Sequence, residues 1–110
     1  CGLTGLFLGG ALCGLPMIID GVITSAAALC AVRLCPTVRD YLIASHHTAE
    51  PAGVLLEQAL DVKPIINAHM ALGEGTGAVL LFGILDAAAS LYTNGNTFDD
   101  SNIEAYQPLS

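Results

Sequence analysis

At 110 residues, with 54% apolar residues, 12% charged ones and a formal net charge of −7, the chain has room for one domain and not for two. Arg33, Arg39 and Lys63 are its only basic side chains, too few to neutralise a phosphate backbone, which argues against nucleic acid as a partner. The charged fraction is far below the roughly 25% usual for soluble domains, and a small free-standing protein needs more polar surface than this, so much of the surface is expected to be covered by lipid, a partner subunit or the remainder of a longer chain.

In chain order, the spacing predicts a first helix over 3–14, stopped by Gly14 with Pro16 just beyond it. Pro16-Met17-Ile18-Ile19-Asp20 is a short apolar run ending in an acid and then Gly21, the pattern of a buried parallel strand. Asp20 would fall at the strand's C-terminal end, where open α/β sheets place their ligands. A second helix is predicted from Ile23 to Leu34, with Thr24 or Ser25 near its start and Pro36 ending it. Its alanines allow close packing. With Arg33 as its one charge, most of its circumference is expected to be covered, and Cys30 to act there as a small hydrophobe. Tyr41-Leu42-Ile43-Ala44 reads as a second short strand, followed by the polar loop Ser45-His46-His47-Thr48.

Pro51 opens a helix through Leu60, with Glu57, Gln58 and Asp61 on one face and Val54, Leu55, Ala59 and Leu60 largely on the other. Residues 65–72 fit either a helix or an extended stretch. Gly73-Glu74-Gly75-Thr76-Gly77 then leads into a strongly apolar helix from about Ala78 to Tyr92, with Thr76 as its cap and Asn94-Gly95 as a left-handed stop. The tail 96–110 is polar and expected to be peripheral. The fold class is α/β, mostly helical, with about two short parallel strands.

Two apolar stretches raise a membrane reading. Residues 1–19 carry no charge, but they contain Gly2, Gly5, Gly9, Gly10, Gly14 and Pro16 and lack basic flanks. In Ala78–Tyr92 an Asp86 at mid-span would cost about 2.5–3.5 kcal/mol on insertion scales. A buried soluble core is the better expectation, with no membrane partner and a cytoplasmic location. Cys1, Cys13, Cys30 and Cys35 lack the spacing of a zinc or redox motif, so reduced thiols are expected. Because the chain opens on Cys1 rather than Met, its true start is expected upstream.

Three groups could carry chemistry. Glu74 lies between glycines before a buried helix. It is either a solvated acid favoured by the positive helix end or a functional carboxylate whose neighbours, lacking Cβ atoms, let a ligand approach the backbone. On the residues alone the first reading is the simpler one. Ser45-His46-His47-Thr48 offers hydroxyls and imidazoles beside a helix start, but a turn capped by Thr48 is the common arrangement, and no third ligand supports a metal. Asp20-Gly21 divides evenly between a ligand site and a cap for the next helix.

Taken together, Leu15-Pro16-Met17-Ile18-Ile19-Asp20-Gly21-Val22-Ile23-Thr24-Ser25-Ala26-Ala27-Ala28-Leu29, Val38-Arg39-Asp40-Tyr41-Leu42-Ile43-Ala44-Ser45-His46, Ala49-Glu50-Pro51 and Leu72-Gly73-Glu74-Gly75-Thr76-Gly77-Ala78 resemble, in order and spacing, the nicotinate-nucleotide–dimethylbenzimidazole phosphoribosyltransferases of cobalamin synthesis. Asn94 to Phe98 echoes that family's Asn-x-x-Thr-Phe. The resemblance covers nearly the whole chain. It implies the C-terminal part of a doubly wound, mainly parallel-sheet fold, the rest of the enzyme chain lying upstream, and a homodimer. It also implies transfer of phosphoribose from nicotinate mononucleotide to 5,6-dimethylbenzimidazole, with no cofactor and no metal, and the 110-residue piece inactive by itself. The resemblance makes Glu74 the general base, and Asp20, Gly21, Ser45, His46, Thr48, Leu72 and Gly73 substrate-binding. Two departures stand out: Ala71 occupies a position where the family commonly carries Arg, and Thr48 one where Ser is common. A non-catalytic nucleotide- or benzimidazole-binding module and an assembly subunit remain as competing readings.

Overall fold

The computed structural model describes residues 1–70, 73–97, 100, 101 and 104. The elements run α1 (Gly2–Leu12), β1 (Met17–Ile19), α2 (Val22–Leu34), a 3₁₀ helix (Pro36–Tyr41), β2 (Leu42–Ala44), α3 (Pro51–Leu60) and α4 (Thr76–Asn94). β1 and β2 pair in parallel, Met17 opposite Leu42, Ile18 opposite Ile43 and Ile19 opposite Ala44. Parallel neighbours need a long crossover, and α2 with the 3₁₀ helix supplies it. The chain is α/β and mainly helical, as its pattern predicts.

The 65–72 stretch, open between helix and strand, is extended at its start. Ile65 N–H donates to Ala44 O (3.2 Å), Ile66 N–H to Ser45 O (2.8 Å) and His47 N–H to Ile66 O (2.9 Å). A parallel bridge between His46 and Ile66 therefore continues the sheet beyond β2. The core lies on one side of these strands, where Phe7 of α1, Ile19 of β1, Ala28, Ala31 and Val32 of α2, Val38 of the 3₁₀ helix and Leu60 of α3 are all buried in one cluster. The alanines of α2 allow this closeness, and Gly10 of α1 does the same against Met17, whose side chain fills the space a Cβ would need.

Several expectations change. On α3 the inward line is Gly53, Leu56, Glu57 and Leu60, while Val54 and Leu55 face out. Gly53 sits under the Thr48 methyl, and Glu57 is drawn in by His47, whose Nδ1 lies 2.9 Å from Glu57 Oε2. On α2, Ile23, Cys30 and Leu34 are exposed, because only the side that meets α1, α3 and the sheet is covered. The four cysteines are free thiols. α4 runs through Asn94 and ends at Gly95 in extended rather than left-handed backbone (φ −71, ψ 139). Thr76 is the first helical residue rather than the cap, and its hydroxyl donates to Gly73 O (2.9 Å). After α4, the Thr97 hydroxyl and backbone N–H both reach Asp100 Oδ2 (2.6 and 2.9 Å). These bonds hold the Asp100 carboxyl below its ordinary value, the hydroxyl contributing most. Phe98, part of the Asn94–Phe98 echo, lies outside the described residues.

Candidate functional site

The ends of β1 and β2 and the start of α4 converge. Asp20 leaves β1 with its carboxylate aimed across the sheet end. Oδ2 accepts the N–H of Gly75 (3.1 Å) and Oδ1 the N–H of Ala78 (3.0 Å). The first N–H groups of any helix lack intrahelical partners, and an anion there also meets the positive end of the helix dipole. Asp20 is thus a cap, though for α4, more than fifty residues away, and not for the helix that follows it. That following helix, α2, is started by Thr24, whose Oγ1 accepts from Asp20 N and Gly21 N (both 3.0 Å), while the hydroxyls of Thr24 and Ser25 donate to Gly21 O (both 2.9 Å).

Glu74 stands on unusual backbone. Gly73, Glu74 and Gly75 have φ of 74, 58 and 77° in succession. Glycine adopts this left-handed region freely. For a residue with a Cβ it costs roughly 1–2 kcal/mol, and such strain persists only where the surroundings enforce it. Glu74 is exposed. It opens on a cleft of about 270 Å³ that it lines together with Asp20, Gly21, Glu50, Gly73 and Gly75, among others. Sequence reasoning missed Glu50 as a site residue. Its signal was there, since Pro51 restricts the residue before it to extended backbone and turns Glu50 to the cleft edge before α3 begins. Three of the cleft's lining residues are acidic and none of the lining residues is basic. Arg33 and Arg39 line a separate cleft.

Ser45, His46 and Thr48 stand behind this cleft and not among the residues lining it. Ser45 is fully buried, its Oγ 3.0 Å from His46 Nδ1 and 3.3 Å from Asp20 O. The His46 ring lies against the backbone of Gly77 in the first turn of α4, where any Cβ would collide with it. Thr48 is buried against Gly53, with its Oγ1 accepting the N–H of Glu50 (3.3 Å). These three side chains therefore brace the strand ends against α4 and α3. Leu72 and Ala71 lie outside the described residues.

A loop with a strained acid before a helix, facing the C-terminal edge of a parallel sheet, stands where α/β folds place their ligands. The phosphoribosyltransferase family matches residues 1–103, and the chain belongs to that family. Among named relatives, the nicotinate-nucleotide–dimethylbenzimidazole phosphoribosyltransferase of Acetivibrio thermocellus is 50% identical over 107 residues, covering 97% of this chain and 30% of that protein. Its namesake in Yersinia enterocolitica is 45% identical over 103 residues, covering 94% and 29%. The crystal structure of the enzyme of that name from Thermus thermophilus superposes with a TM-score of 0.85 at 38% identity, over 94% of this chain and 31% of the other. The chain thus spans about 30% of the length of these relatives.

Proposed function

We propose that this chain supplies one wall of the active site of an enzyme that moves phosphoribose from nicotinate mononucleotide to 5,6-dimethylbenzimidazole, giving α-ribazole 5′-phosphate and nicotinate. The relatives' name supports the reaction. The observation that carries it is Glu74, a carboxylate held in a left-handed conformation at the edge of a cleft. Asp61 and His69 share the left-handed region, but of these three residues Glu74 alone lines this cleft, and strain of this kind gathers at functional sites.

The chemistry asks for such a base. In nicotinate mononucleotide the C1′–N bond joins the sugar to a cationic pyridinium. When it breaks, the bonding pair returns to nitrogen and neutralises it, so departure needs little acid help. The incoming benzimidazole attacks C1′ through its unprotonated nitrogen and must lose the N–H proton from the other. Glu74 accepts that proton. A positioned base of this kind contributes typically about 10²–10⁴-fold. Gly21 and Gly73 leave the cleft wall open to the sugar, and Glu50 faces the same space. We further propose that the reaction belongs to a longer cytoplasmic polypeptide acting as a homodimer, with the exposed face of α4 covered by protein.

Glu74→Gln keeps size and hydrogen bonding but removes the base. In the intact polypeptide it is expected to lower kcat by about 10²–10⁴-fold, with nicotinate mononucleotide binding within a few-fold of the parent. Parental turnover by this variant would refute the assignment. The 110-residue chain alone is expected to show no turnover.

A further inference from the structure

Asp20 has a different task from the one its place at a strand end suggests. Both of its carboxylate oxygens are occupied by backbone N–H groups of the segment that carries Glu74, Oδ2 by Gly75 and Oδ1 by Ala78. The Gly75 N–H belongs to the peptide unit joining Glu74 to Gly75. Oδ2 therefore grips the strained backbone at the step where φ passes from 58 to 77°. Asp20 is itself held at the base: its own N–H donates to Thr24 Oγ1 (3.0 Å), and its carbonyl lies 3.3 Å from Ser45 Oγ. Ser45 in turn is tied to β1 through its N–H on Ile19 O (3.0 Å).

We propose that Asp20 is a positioning residue. By holding two backbone N–H groups of the α4 start, it keeps Glu74 in its left-handed conformation and so fixes where the Glu74 carboxylate enters the cleft. Charge-assisted bonds of this kind are among the stronger hydrogen bonds. Without the grip, the chain at Glu74 can relax to ordinary right-handed or extended backbone, which swings the carboxylate away from the reacting ring. The kinetic part of this inference rests on Glu74 being the base; the structural part does not.

The test uses Asp20→Asn and Asp20→Glu in the intact polypeptide, read by steady-state kinetics and by amide hydrogen exchange at Gly75 and Ala78. Asn retains one acceptor oxygen but turns an NH₂ toward the other N–H. Asp20→Asn is expected to lower kcat by about 10–100-fold, the scale of an ångström-sized misplacement, with KM for both substrates within about threefold of the parent. Exchange at the two amides should accelerate about tenfold or more as the local structure opens more often.

Parental kcat, unchanged exchange, or a rise in KM with kcat intact would each overturn the proposal. Should Asp20→Asn not fold, Asp20→Glu is read by the same criteria, and failure of both to fold would make Asp20 a global fold residue and overturn it as well. If Glu74→Gln keeps parental turnover, the base assignment fails by itself. The exchange rates then decide separately whether the grip exists.

Discussion

The layer built by α1, β1, α2, β2 and α3 and the long helix α4 are both rich in apolar residues, yet only the first gathers a buried cluster, and even there Leu6, Leu12, Ile23 and Leu34 stay exposed. In the first region Phe7, Ile19, Ala28, Ala31, Val32, Val38 and Leu60 bury one another. In α4 only Gly77 and Leu81 are buried, while Val79, Leu80, Phe82, Ile84, Leu91 and Tyr92 stand at 45–91% exposure. By length and composition α4 is the one described helix that could cross a membrane. Its first turn, however, is fastened to the sheet by Asp20 and His46. The lesson is that the site is assembled where the region with a buried cluster meets the largely uncovered helix: the packed layer provides the acceptor, and the start of α4 brings the strained loop that acceptor restrains.

That contrast can be broken at several points. The largest effect is expected from Leu60→Ala. Leu60 is fully buried, so a loss of about 2–5 kcal/mol is expected in urea melts of the 110-residue chain. A loss below about 1 kcal/mol would mean that this layer is not the core it looks to be. Gly77→Ala tests the junction itself. The added methyl would drive into the His46 ring, an overpacking cost of about 1–3 kcal/mol, which differential melting of the intact polypeptide would register. An unchanged midpoint would show that α4 can slide off the sheet end at little cost. The smallest effect belongs to Phe82→Lys. On the outer face of α4 it should alter the stability of the 110-residue chain by no more than about 0.5 kcal/mol, and a cost approaching that of Leu60→Ala would show that α4 packs on its own chain.

Much of the architecture was readable from residue order. Gly/Pro punctuation and apolar runs located β1 and β2 to within a residue or two, and Pro51 set the start of α3. What misled was local reasoning about faces and caps. Glu57 looks like a surface acid until His47, ten residues earlier, draws it inward. Thr76 looks like the cap of α4 until Asp20 takes that place. Gly95 looks like a left-handed stop, but φ there is −71°, because the helix ends without the reverse turn that such a stop serves. The candidate site divides in the same manner. Glu74, Asp20, Gly21 and Gly73 share one cleft, whereas Ser45, His46 and Thr48, adjacent to them in the resemblance, brace it from behind.

Sequence alone determined the family, the parallel βαβ core and the position of Glu74 among its glycines, since periodicity, turn chemistry and a specific run of residues are all local properties. Only the tertiary structure decided that Asp20 caps the last helix rather than the next one, and that the Ser-His pair wedges against Gly77. A carboxylate finds whichever unpaired N–H groups the fold brings within about 3 Å, and no local pattern announces a partner that far along the chain.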